Sequence, residues 1–111
     1  MAEMVTLWEE SEWGNEMQYI TLLHRNVDRP VTEQEWDTFL ALARDNGMFQ
    51  GGSGLGDRWT IGDKEAPPPS GHIGGYMRFE AESVDNLLGL LEKHPTIMLG
   101  GTIEICEMTE T

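Results

Sequence analysis

Apolar and polar positions along this chain separate four strands from two helices. Residues 16–25, EMQYITLLHR, carry the β-branched and aromatic side chains of a strand. Met17, Tyr19, Thr21 and Leu23 share one face, and Gln18, Ile20, Leu22 and His24 the other. Both faces are therefore partly apolar, whereas a strand with one face in water shows a cleaner contrast, so the second face is expected to meet something. Residues 75–80, GYMRFE, set Met77 and Phe79 against Tyr76, Arg78 and Glu80. A last strand is expected over 102–108, with Ile103 and Ile105 on its inner face.

The first helix carries its own punctuation. Thr32 and Glu35 have the spacing of a capping box, and Val31 and Trp36 that of a hydrophobic staple. Trp36, Phe39, Leu40 and Ala43 then recur at i, i+3, i+4 and i+7, which makes a one-sided apolar stripe. Glu33, Glu35 and Asp37 sit near the positive end of the helix dipole, Arg44 sits near the negative end, and Gly47 supplies the stop. A second helix is expected from its cap Ser83 through Leu87, Leu88, Leu90 and Leu91 to Lys93 and His94, with Pro95 ending it. Gly100 and Gly101 then turn the chain into the last strand.

Residues 48–53 read as a strand entering a glycine-rich turn, and residues 58–61 as a short strand leaving it. Residues 62–74, with Pro67, Pro68 and Pro69, read as a long exposed loop of the kind that is usually functional or mobile. The resulting order is strand, helix, strand with a hairpin or loop insertion, strand, helix, strand. This is the βαββαβ order of an α+β, ferredoxin-like sandwich. Two helices cover one sheet face in such a fold, and the apolar character of the first strand predicts that the bare face pairs with a second copy in a homodimer.

Composition narrows the partners. The chain has 111 residues, with 7 Lys and Arg against 20 Asp and Glu, a formal charge of −13. Its 39% hydrophobic content suits one folded domain, expected over 16–111, preceded by an acidic segment 1–15. Val5 and Trp8 in that segment are spaced for a turn or two of amphipathic helix, with a loosely packed tail the equal alternative. The negative charge argues against nucleic acid and against anionic lipid. No apolar run is long enough for a membrane span, and the acidic start is unlike a secretory signal, so a cytoplasmic setting is expected. The one cysteine, Cys106, cannot make an internal disulfide and reads as a small packed residue.

The chemistry-bearing residues form no familiar motif. GGSGLG at 51–56 fails as a phosphate loop because Asp57 and Arg58 stand where Lys and Ser or Thr are needed, so it reads as a flexible hairpin turn. His24, His72 and His94 are spread over a strand end, a loop and a helix end without metal-ligand spacing, so no metal and no cofactor is expected. They are the candidates for acid–base work, since histidine exchanges protons near neutral pH. His94 has an alternative role as a cation in a last helical turn, where it favours the dipole. Trp59, Arg58 and Arg78 are candidates to shape or charge a small-molecule pocket, with hairpin packing the alternative for Trp59.

MQYITLLHR, the glycine pair in FQGGSGLG and the stretch GGYMRFEAESVDNLLGLLEKHPTIMLGGTIEICEM together resemble the YCII-related family, nearest its DGPF-motif branch. The resemblance spans about residues 17–108. It implies a ferredoxin-like fold in a dimeric α/β barrel-like assembly and an intracellular bacterial setting. The Asp-Gly-Pro-Phe motif itself is absent, its place held by residues 64–72. Enzymatic members of the family pair a His near the start of the first helix with an Asp before the proline after the second. Here the first-helix region has Thr32, Glu33 and Glu35, and His94 precedes Pro95, so that pair does not carry over. The expectation is a homodimer holding a small ligand in a cleft between the sheet and residues 51–74, whether or not it is an enzyme. The alternative is a non-catalytic interaction or regulatory module whose acidic surface meets a basic protein partner.

Overall fold

A computed structural model describes residues 16–62, 65 and 67–109, and the acidic segment 1–15 lies outside the described residues. The elements run β1 (Met17–His24), α1 (Glu33–Asp45), β2 (Phe49–Gly54), β3 (Ile73–Ala81), α2 (Val84–Leu91), α3 (Pro95–Met98) and β4 (Ile103–Glu107). The four strands form one antiparallel sheet in the order β2-β3-β1-β4. This is an α+β arrangement compatible with the ferredoxin-like fold, in which each helix carries the chain across an intervening strand.

The alternation read in β1 decides which face is covered. Tyr19 opposes Phe79 and Thr21 opposes Met77, so these side chains point together toward the helices. With Phe39 and Ala43 of α1 and Leu87, Leu90 and Leu91 of α2 they form the buried core. Thr21 is fully buried, and its hydroxyl donates to the Met77 carbonyl at 3.0 Å, which removes the cost of an unpaired polar group there. Ile20, Leu22, Tyr76, Arg78 and Cys106 lie on the opposite face, half-buried.

Helix α1 starts as its capping box dictates. Thr32 accepts from the Glu35 amide, and the Glu35 carboxylate accepts from the Thr32 amide at 2.9 Å. Arg29 adds a two-pronged ion pair to the same carboxylate, at 2.8 and 2.9 Å. The Arg29 guanidinium and the Thr32 amide lower the Glu35 pKa to about 2. A Thr32→Ala variant is expected to lose about 1 kcal/mol, read as a lower urea midpoint at unchanged m-value. A midpoint equal to the parent's would remove the capping box as a stabilising element. Gly47, at φ 77°, ends the helix in the left-handed region, as its position in the sequence requires.

Three expectations are corrected. The strand expected over 48–53 is β2 and runs on to Gly54, so of the turn read over 51–56 residues 51–54 belong to the sheet and pair with β3. Residues 58–61 form no strand, and residues 55–62 have no regular structure. Trp59 and Ile61 are 86% and 103% exposed and meet no strand that would order them as a hairpin. The second helix stops at Leu91 rather than running to His94, because Pro95 occupies the first turn of the separate helix α3.

Candidate functional site

The helix-side surface of β2 and β3 is unusually bare. Gly52 and Gly54 oppose Met77 and Gly75, and Phe49 opposes Phe79. Three of these six neighbouring positions therefore project no side chain, and the sheet has a hollow where a core would normally be filled. Helix α1 bridges the hollow. Trp36, Leu40 and Arg44 recur at i, i+4 and i+8, one stripe of the helix, while Phe39 and Ala43 on the adjacent stripe enter the core. The result is a groove of about 670 Å³ walled by α1, floored by glycine backbone and closed at one end by Val27, Val31 and Thr96. That volume is in the range of small-molecule sites.

Two of its lining residues carry basic side chains. Arg44 lies over the Phe49 ring, 5.9 Å from its centroid, at the end of the groove where α1 stops and β2 begins. His24 lies at the other end, where β1 stops. The β1–β3 register shifts between Leu23 and His24, and this irregularity re-aims the strand end. His24 therefore lines the groove within a single chain, rather than a cleft that needs a second copy. Its ring stands 5.4 Å from that of His72, which is exposed at the end of the long loop.

His94 is not at the groove surface but behind its wall. It is fully buried, with its ring 4.5 Å from Phe39 and 5.1 Å from Trp36. Nδ1 accepts from the Thr96 amide at 3.0 Å, so His94 caps the start of α3. The neutral ring then carries its proton on Nε2, which faces the Met77 sulfur at 3.4 Å. Burial lowers its pKa to about 4. The expected cation at a helix C-terminus is thus corrected to a neutral N-cap, because the helix ended earlier and a new one begins there.

Arg58, Trp59 and Arg78 are not brought together. The Arg58 guanidinium donates to the backbone carbonyls of Gly56, Ser70 and Ile73, while Arg25 donates to those of Gly71 and Leu55. These two arginines hold the ends of the 55–72 loop against the sheet. Trp59 projects from that loop into solvent. Arg78 lies on the other sheet face, with Nε buried and without a hydrogen-bond partner among the described residues. Cys106 is half-buried on that face, 3.7 Å from a Glu104 carboxylate oxygen. Burial and that carboxylate raise its pKa, the opposite of what a nucleophilic thiolate needs.

Sequence reasoning passed over Arg44 and Trp36 as groove residues because the dipole and the staple already accounted for them. The available signal was their common stripe with Leu40, facing a strand rich in glycine. Among the described residues no cluster of three metal-ligating side chains occurs. None of the described helices is long and apolar enough to cross a membrane. Comparison with protein-family models and with curated proteins finds no match to either.

Proposed function

We propose that the protein binds a small ligand in the groove between α1 and the glycine floor of β2 and β3, as a homodimer of the YCII type. The observation that carries this reading is the groove itself: its lining is largely apolar, with a few polar groups at defined places, the usual make-up of a ligand site. The strand order is compatible with the ferredoxin-like fold that this reading requires, and the apolar Ile20, Leu22 and Tyr76 on the face opposite the helices support pairing with a second copy. Any acid–base step would fall to His24, the one histidine among the groove-lining residues described.

The test is amide shift mapping with a set of soluble aromatic fragments. Fragments are expected to move the amides of residues 51–54 and 74–75 together with the Trp36 indole. Hits scattered over the surface would overturn the groove reading. A Gly54→Leu variant sharpens the test, since a Cβ at Gly54 would have no neighbour closer than 3.9 Å and this position lies on the groove floor. It is expected to abolish the mapped shifts. Light scattering should give a mass near twice 12.5 kDa, and a monomer would remove the homodimer from the reading while leaving the groove.

A further inference from the structure

The groove has a length and a polarity. From the Phe79 row of the sheet to the Gly75 row is about 13 Å at ~3.3 Å per residue. Arg44 and Phe49 mark one end, and His24, Val27 and Gly54 the other, because α1 runs antiparallel to β1 and returns the chain to the start of β2. Between the ends the walls are Trp36, Leu40 and Met77 over bare backbone. An occupant that fills this space is elongated and apolar along its middle.

The charge at the ends runs against the charge of the chain. The protein has 20 carboxylates and a formal charge of −13, yet no Asp or Glu is among the groove-lining residues described. Arg44 has no ion pair and no side-chain hydrogen bond among the described residues. Its guanidinium is held over Phe49 by a cation–π contact, which leaves its planar N–H edge free to meet an incoming group. A guanidinium presents paired donors that match a carboxylate. Carboxylates outside the groove act through a screening length of about 8 Å at physiological ionic strength, and none is among the groove-lining residues described, so Arg44 governs recognition at the groove end.

We infer that the groove takes an elongated amphipathic monocarboxylate, its apolar body along Trp36, Leu40 and Met77 and its carboxylate at Arg44. This rests on the groove reading above and gives that site its ligand class. His24, at the far end, offers a ring nitrogen to a polar substituent at the ligand's tail, so an ω-hydroxy or ω-oxo carboxylate spans both ends.

Isothermal titration of the full chain at physiological ionic strength with 4-phenylbutyrate, its primary amide and 4-phenylbutylamine tests the inference. The three share an apolar body and differ in head-group charge. The expected order is carboxylate, amide, amine, with the carboxylate about tenfold tighter than the amide, the size of one partly exposed charge-assisted pair. The chain's overall field alone would put the amine first. Arg44→Gln is expected to bring the carboxylate to the level of the amide, and Arg44→Lys to keep part of the preference. Arg44 is exposed, so both variants should melt near the parent temperature. Equal affinities, or an unchanged ratio in Arg44→Gln, would overturn the carboxylate assignment while the groove reading stands. If none of the three binds but the aromatic fragments still map to the groove, the assignment alone falls. If nothing maps there, both fall.

Discussion

Acidification from pH 6.5 to 4 is expected to cost the folded chain about 3 kcal/mol through His94 alone. The ring is neutral in the fold because burial holds its pKa near 4, whereas in the unfolded chain it titrates near 6.5. The unfolded state therefore binds a proton that the folded state refuses across this window. The contribution of His94 is complete above about pH 6.5 and is lost progressively as pH falls to 4. Below that the folded ring protonates too, and the loss levels off. Protonation also removes the Nδ1 lone pair that accepts from Thr96, so the acid form uncaps α3 as it charges the core.

Urea unfolding as a function of pH measures this directly, and His94→Asn isolates it. Asparagine can still accept at the cap but does not titrate. The variant is expected to start lower, because the packing of the ring against Trp36 and Phe39 is lost, and to show a flatter profile between pH 6.5 and 4. An unchanged slope in the variant would assign the acid sensitivity to other groups. Glu35 overlaps only the acid end of this window: with its pKa lowered to about 2, its contribution is present above its unfolded value of 4.5 and is lost progressively as pH falls from there toward 2.

The second large effect is expected at Gly52. A Cβ placed there would stand 2.4 Å from the Tyr76 carbonyl oxygen and 2.9 Å from the Met77 Cα. Both are backbone atoms of the central strand β3, so neither can move without shifting the sheet. Gly52→Ala is expected to cost about 2–3 kcal/mol by overpacking, or to detach the edge strand β2 locally. Gly54→Ala, two residues along the same strand, meets nothing closer than 3.9 Å and should lie within about 0.5 kcal/mol of the parent. Thermal melts of the two variants, with amide exchange on residues 49–54, distinguish the cases. Equal stabilities would mean that β2 is not held against β3 as closely as the structure has it.

Local signals were legible where one residue type has one physical use. Thr32 and Glu35 could be read as a capping box because the two hydrogen bonds they make are internal to one helical turn. The faces of β1 and β3 followed from the two-residue period of a strand, and they pack as that period requires. Glycine and proline were less transparent, because each serves opposite ends. Pro95 ends a helix or begins one, and here it begins α3. Gly51 to Gly54 could make a turn or allow close approach within a sheet, and Gly52 does the latter.

The candidate site was the least legible part. His24 was visible as a candidate, but the register shift that brings it to the groove is a property of two strands together. His94 was visible only as a titratable residue near a helix end. Its burial among Trp36, Phe39 and Met77 depends on three elements meeting, and that burial determines its charge. Arg58 looked like a ligand group in isolation and proves to direct its donors to loop carbonyls, a use set by where residues 56, 70 and 73 come to lie.

By itself the sequence determined the order of the four sheet strands and the two main helices, the inward faces, the start of α1 and the acidic charge, because each depends on spacing or composition within a few residues. Tertiary structure alone decided the groove. A hollow exists only where glycines on two paired strands fall beneath one stripe of α1, and no single segment contains that coincidence. It also decided that Arg44 lines a groove with no carboxylate among its described lining residues in a chain of charge −13, since charge counts add along the sequence but act across distance in the fold.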